Sequence, residues 1–157
     1  MAILSDKKFS FISNAPGLGE ETFAVVKFTG FEGISRPYEF DILLVSENRE
    51  VDYSAVLAHP VRLVIHRGDG RDVEYHGILR EFEQRNEFNE YVFYRAVLAP
   101  RLWWLTLTHG NRVYLGTSIP DVVDRTLKDS GLASFDFEFR LQGSYPVMDY
   151  ICQYGES

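Results

Sequence analysis

The side chains able to do chemistry are few and scattered. Histidine stands at His59, His66, His76 and His109. A zinc site needs several such ligands converging on one point. No two of these histidines have a helical spacing, and none stands in a Cys/His motif. His66 and His76 flank a predicted hairpin and are expected to face each other across it in a structural role. Tyr75-His76-Gly77 sets a phenol beside an imidazole. Neighbours along a strand point to opposite faces, so the two cannot work on one atom. Gly77 reads instead as a bulge or a close backbone approach. Glu81 and Glu83 share one face of a predicted strand, and the chemistry they would suit is paired-carboxylate glycan hydrolysis. Acidic residues alternating on a solvated face are the blander reading of the same pair, and the preferred one.

Other motifs exclude more than they suggest. Gly17-Leu18-Gly19 is too short for a dinucleotide loop. No serine stands in a Gly-x-Ser-x-Gly elbow, and there is no phosphate loop. Cys152 is the single cysteine, which excludes an internal disulfide and a thiolate metal cage. It has no obvious basic neighbour and reads as an ordinary thiol. Trp103-Trp104 would suit a sugar-stacking platform, but adjacent residues diverge; a core role ranks first, a protein contact second and carbohydrate third. No catalytic residue, cofactor or metal is assigned, and the expected role is not that of an enzyme.

The elements that must position these residues follow from composition and period. The 157 residues suit one domain, or one domain and part of the next. Twelve Phe and nine Tyr favour strands, because flat rings pack well on a pleated surface. A net charge of -7 argues against a nucleic-acid binder and against anionic membranes. Met1 to Ser10 carries no apolar run behind a basic stretch, so no Sec signal is expected.

Residues 22–31 read as a strand. Tyr38, Phe40, Ile42 and Leu44 alternate with the residues between them, as a half-buried strand does. Asp52 suits the cap of a short helical turn at 55–57, ended by Pro60. Residues 61–99 read as a three-stranded antiparallel meander, with turns at Gly68-Asp69-Gly70 and at 85–90. Residues 101–107 fit a short helix or a strand. Ser118 and Pro120 open one solid helix over 118–131, with Asp121/Arg125 and Asp124/Lys128 pairs outside and Gly131 as the stop. Phe135, Phe137, Phe139 and Leu141 alternate like another strand, and Gly143–Pro146 turns the chain. Ser157 has the character of a helix cap. The expectation is a mainly β protein of six or seven strands, forming an antiparallel barrel or strongly curved sheet. Its boundaries are set at an amino-terminal segment 1–21, a first domain 22–145, and the start of another at 146–157.

Read as strings, the same residues resemble a known family. Ile34-Ser-Arg36-Pro37-Tyr-Glu-Phe40 resembles the "LSRPFxF" strand entry of VgrG spike proteins. Glu74-Tyr-His76-Gly77-Ile-Leu-Arg-Glu-Phe82 is similar to "FHGIVTEF". Tyr94 to Leu105, which holds Pro100, Arg101 and Trp103, looks like "YRLVLRPRLWLL"; Ser118-Ile-Pro120 opens a match to "SVPEIV". Gly143-Ser-Tyr145-Pro146 and the run through Tyr154 resemble "GSYPPREYCVQYRES". Five strings in order make the resemblance specific. It implies the amino-terminal hub of a type VI secretion spike, similar to contractile phage baseplate hubs. It further implies a homotrimer in the full-length context that meets a hexameric, Hcp-like tail tube and other baseplate subunits, with export through the apparatus. A phage or tailocin hub is the nearest alternative. His59 stands where the family often has glycine. Family chains are several times longer, so a truncated product or an expression fragment is expected.

Overall fold

The computed structural model describes residues 8–156. The reading of Met1 to Ser10 as signal-free rests mainly on residues outside that range, and so does Ser157, read as a helix cap. Two compact units are formed, one through Pro100 and one from Arg101. The boundaries expected from the sequence were 21/22 and 145/146.

In the first unit, six strands form one antiparallel sheet. They are β1 (Phe9–Ser13), β2 (Ala24–Gly33), β3 (Arg36–Ser46), β4 (Val61–Ile65), β5 (Val73–Phe88) and β6 (Tyr91–Ala99). Their order in the sheet is β1-β4-β5-β6-β3-β2, and the sheet curls into a half-barrel. The mainly β, curved architecture is therefore the one the sequence period predicted. Phe9, Phe11 and Ile12, which had no strand assigned, are part of β1.

The alternation along β3 sends Phe40, Ile42 and Leu44 into the core, beside Phe11, Leu63, Leu79, Tyr94 and Leu98. Burying such side chains contributes about 1.5–3 kcal/mol each. Aromatic rings tie the core together. Phe82 stacks on Tyr94 at 5.2 Å, and Phe23 meets both edge-on. The short helix α1 (Tyr53–Ala58) buries Val56 against the sheet, and the Asp52 carboxylate accepts from the Ser54 and Ala55 amides. His59 Nδ1 meets the Ala55 carbonyl at 2.7 Å, and Pro60 lets the helix go no further.

β5 is long because it serves two partners. Residues 73–77 pair with β4 and residues 78–88 with β6. The switch falls at Gly77, where a Cβ would lie 2.1 Å from the Ala99 carbonyl oxygen. Only glycine lets the two backbones come that close. Residues 85–88, expected as part of a turn, continue the strand. The turn is just Asn89-Glu90, with Asn89 at φ 56°.

The second unit holds a 3-10 helix (Arg101–Leu107), β7 (Gly110–Thr117), α2 (Ile119–Asp129) and β8 (Met148–Glu156). Ser118 caps α2 as expected, and Gly131, at φ 82°, follows its end. Lys128 pairs with Asp124 at 2.8 Å. The expected Asp121/Arg125 pair is replaced, because Asp121 accepts from Ser118 Oγ and Arg125 turns to Asp129.

The strand expected over 135–141 is absent from the described residues. Its alternation is genuine, but among the described residues it pairs with no strand. Asp136 is drawn the other way, accepting from the Ala133 amide at 2.8 Å and from Arg101 at 3.0 Å. The strands in this unit are β7 and β8, which pair antiparallel from Gly110↔Glu156 to Thr117↔Met148.

Candidate functional site

The carboxylates that suggested glycan hydrolysis are held by arginines. Arg95 on β6 donates to Asp41 at 2.8 Å, to Glu81 at 2.7 Å and to Glu83 at 3.3 Å. Arg80 reaches Glu39 and Glu81, and Arg85 pairs with Glu83. Hydrogen bonds from Arg95, then from Arg80, hold the Glu81 carboxyl below the ordinary carboxylate range. A glycosidase acid needs the reverse, a carboxyl kept protonated near neutral pH. These residues form a charge ladder across β3, β6 and β5, on the sheet face opposite the core. Opposite charges on neighbouring strands stabilise a sheet.

Several of the family-string positions meet at one end of the first sheet. Arg36 places its guanidinium 3.9 Å over the Phe31 ring, beside Pro37 at the start of β3. Phe40 is buried, and its ring lies where a Cβ on Gly30 would be. It meets Tyr75 at 4.4 Å. Tyr38 donates its hydroxyl to the His76 carbonyl. Gly77 packs under Ala99, next to Pro100. The His76 ring itself is exposed and meets Glu74 at 2.9 Å. Across the hairpin His76 faces Arg62, not His66, because the register pairs Ile65 with Val73.

In the second unit, Arg101 binds Asp136 and the Gly131 carbonyl and lies 5.3 Å from the Trp104 ring. Neither tryptophan is core: Trp103 is half-buried and Trp104 exposed, since the 3-10 helix buries none of its residues. Ser118 is buried at the α2 cap and Pro120 sits in its first turn.

Tyr145, Pro146 and Tyr154 are exposed. Tyr154 belongs to a larger feature. The β7–β8 register puts Val113 opposite Cys152 and Leu115 opposite Tyr150, with Asn111–Tyr154 and Thr117–Met148 on the same side. None of these eight side chains is charged. Val113 is 64% exposed, Leu115 75%, Tyr150 64% and Tyr154 84%. The other side of the ribbon is used: Tyr114 is buried, with its hydroxyl 3.2 Å from Thr126 of α2. A two-stranded ribbon is marginal alone, and an uncovered apolar face of this kind marks a contact surface. Sequence reading missed it because Gly110–Thr117 lacks a clean alternation of apolar and polar residues.

A second constellation also escaped the sequence. His66 Nε2 lies 2.9 Å from Ser10 Oγ, and His66 Nδ1 lies 2.6 Å from Asp72. Ser10 and His66 are 56 positions apart in the chain, and only the β1–β4 pairing joins them. Among the described residues, no group of His, Cys, Asp and Glu side chains could hold a metal ion. No helix among them is long and apolar enough to cross a membrane, which leaves strands unaddressed.

Comparison with known proteins agrees with this geometry. Residues 31–157 match the family described as phage tail baseplate hub (GPD). Two curated relatives come from Pseudomonas aeruginosa. The type VI secretion system spike protein VgrG1b is 31% identical over 89% of this chain, and VgrG5 is 35% identical over 86%. The chain spans only 19% and 17% of their lengths. Among solved structures, the E. coli c3393 protein superposes with a TM-score of 0.79 at 26% identity, covering 93% of this chain and 39% of that one. It is described as a component of the type VI secretion system, structurally similar to the T4 bacteriophage tail proteins gp27 and gp5. With the family match spanning most of its length, this chain belongs to the phage tail baseplate hub family and is a homologue of the VgrG spike proteins.

Proposed function

We propose that this chain is a structural hub module at the base of a type VI spike, and that it helps to seat the spike on the tail tube for effector delivery. Family membership and the likeness to spike proteins support the hub role. The observation that carries assembly is the uncharged face of Val113, Leu115, Tyr150 and Tyr154, which a working protein has to cover. In this reading, copies of a longer chain close a ring of three through repeated contacts. The ring meets a hexameric tube and other baseplate subunits, is built in the cytoplasm and leaves with the machine. Rigidity and surfaces do this work, and the hub role asks for no turnover.

A phage or tailocin hub is the second reading, favoured by the phage description of the matched family. One experiment addresses both. The chain is immobilised, lysate of its source bacterium is passed over it, and retained proteins are identified by mass spectrometry. Recovery of a secretion-type tube hexamer supports the proposal, and recovery of a phage tube protein supports the second reading. Retention of cell-wall glycan would favour a carbohydrate-binding or hydrolase role over both.

A further inference from the structure

We propose that Ser10 is a base-activated nucleophile, with His66 as its general base and Asp72 as the residue that orients the imidazole. The claim stands apart from the hub reading. Three facts support it. Ser10 Oγ lies 2.9 Å from His66 Nε2, within reach for proton transfer. Asp72 sits on the opposite ring nitrogen at 2.6 Å. A carboxylate accepts only, so Nδ1 carries the proton and Nε2 is left as the acceptor facing the serine. Activation of a hydroxyl nucleophile requires this order of groups.

The fold holds the three groups from separate sides. Ser10 is fixed in β1 by its pairing with Val64. The backbone amide of His66 donates to the Lys8 carbonyl at 2.9 Å, which ties the residue after β4 to the chain entering β1. Asp72 also accepts from the Arg67 amide at 3.4 Å, which steadies the carboxylate. Ser10 and His66 are half-buried, so the pair is partly shielded from water without being sealed off.

The reaction class is acyl or phosphonyl transfer to Ser10. With an activated ester, the Oγ–C bond forms as the hydroxyl proton passes to His66 Nε2. The ester C–O bond then breaks, and the departing alkoxide takes that proton. Water later releases the acid and restores the serine. With a fluorophosphonate, the Oγ–P bond forms, the P–F bond breaks and fluoride leaves, while the proton stays on the imidazole until it is lost to solvent.

The test uses a fluorophosphonate on the whole chain, with the adduct located by peptide mass mapping. The expected result is one phosphonyl group on Ser10, absent from Ser10→Ala. His66→Gln keeps a hydrogen-bonding side chain but removes the base. It should slow labelling roughly a hundredfold, the low end of what a positioned general base contributes. Asp72→Asn should slow labelling as well, with the thermal midpoint almost unchanged. No adduct on Ser10, or an adduct forming at the wild-type rate in His66→Gln, would overturn the proposal. The contacts would then serve only to staple β1 to the β4–β5 turn.

Discussion

Phe9 and Phe28 meet edge to face with ring centroids 5.0 Å apart, although they stand on β1 and β2, the two opposite edges of the six-stranded sheet. Among the described residues no ladder joins those edges, so aromatic packing takes over part of what hydrogen bonding does in a closed barrel. Two bulges in β2, near Val26 and Glu32, interrupt its pairing and add local twist.

The contact between the edges should be measurable as a coupling. Phe9→Ala and Phe28→Ala should each destabilise the chain. The double variant should reveal an interaction of about 0.5–1.5 kcal/mol, the range for aromatic pairs. Urea denaturation of the four proteins checks this, and strictly additive losses would mean that the edges do not support each other.

Gly77→Ala should be costly. Its Cβ would meet the Ala99 carbonyl, which is backbone and cannot swing away. A loss of about 3 kcal/mol is expected, at the upper end for overpacking. The same measurement on Gly68→Ala is the comparison. Gly68 has open space around it, although its φ of 73° strains any side chain, so its loss should be smaller.

Much of this was visible in the sequence. The period of two along Tyr38–Leu44 marks a strand with one buried face, and the fold keeps it. Val61–Ile65 alternates too, but β4 buries Val64 on its other face and leaves Ile65 half-buried. The Ser118 cap and Pro120 marked α2 because both act locally. What failed were features decided by distant partners. Phe135–Leu141 alternates, but the available strand, β7, pairs with β8 instead. Ser10, His66 and Asp72 carry no motif, since strand pairing alone assembles them. Among the family-string residues, Gly77 shows its physical reason once Ala99 is seen above it, whereas exposed Tyr145 and Tyr154 show none within this chain.

The Arg95 network sets an acid dependence. Glu81 is held below its ordinary value, so its contribution to stability is present above that value and is lost as pH falls through the lowered one. Glu81 is part-exposed, and solvent screening limits the effect to about 1 kcal/mol. Arg95→Met should lower stability at neutral pH and flatten its fall below pH of about 4.5. A parallel fall in wild type and variant, followed by denaturant midpoint, would contradict this account.

Tyr38 contributes to the alkaline limb, alongside Tyr75 and Tyr94, whose phenols burial also pushes up. Burial, with Tyr75 alongside, pushes the Tyr38 phenol up to about 12. The unfolded chain ionises first, so stability is intact below the ordinary tyrosine value near 10 and is lost as pH rises towards 12. Tyr38→Phe should make that decline shallower. Denaturant midpoints across the alkaline range check it, and an unchanged slope would place the titration elsewhere.

The uncovered ribbon predicts self-association of the isolated chain. Sedimentation should show concentration-dependent oligomers, and Leu115→Lys with Tyr150→Lys should return the chain to a monomer. A wild-type chain that stays monomeric at high concentration would show that this face is not adhesive.

The most direct test of the proposed hub role is a titration of a hexameric type VI tube protein into this chain held as a trimer by a fused trimerisation domain. Saturable binding, with one trimer closing one tube end, is the predicted result. A properly assembled trimer that shows no binding to the tube would contradict the account.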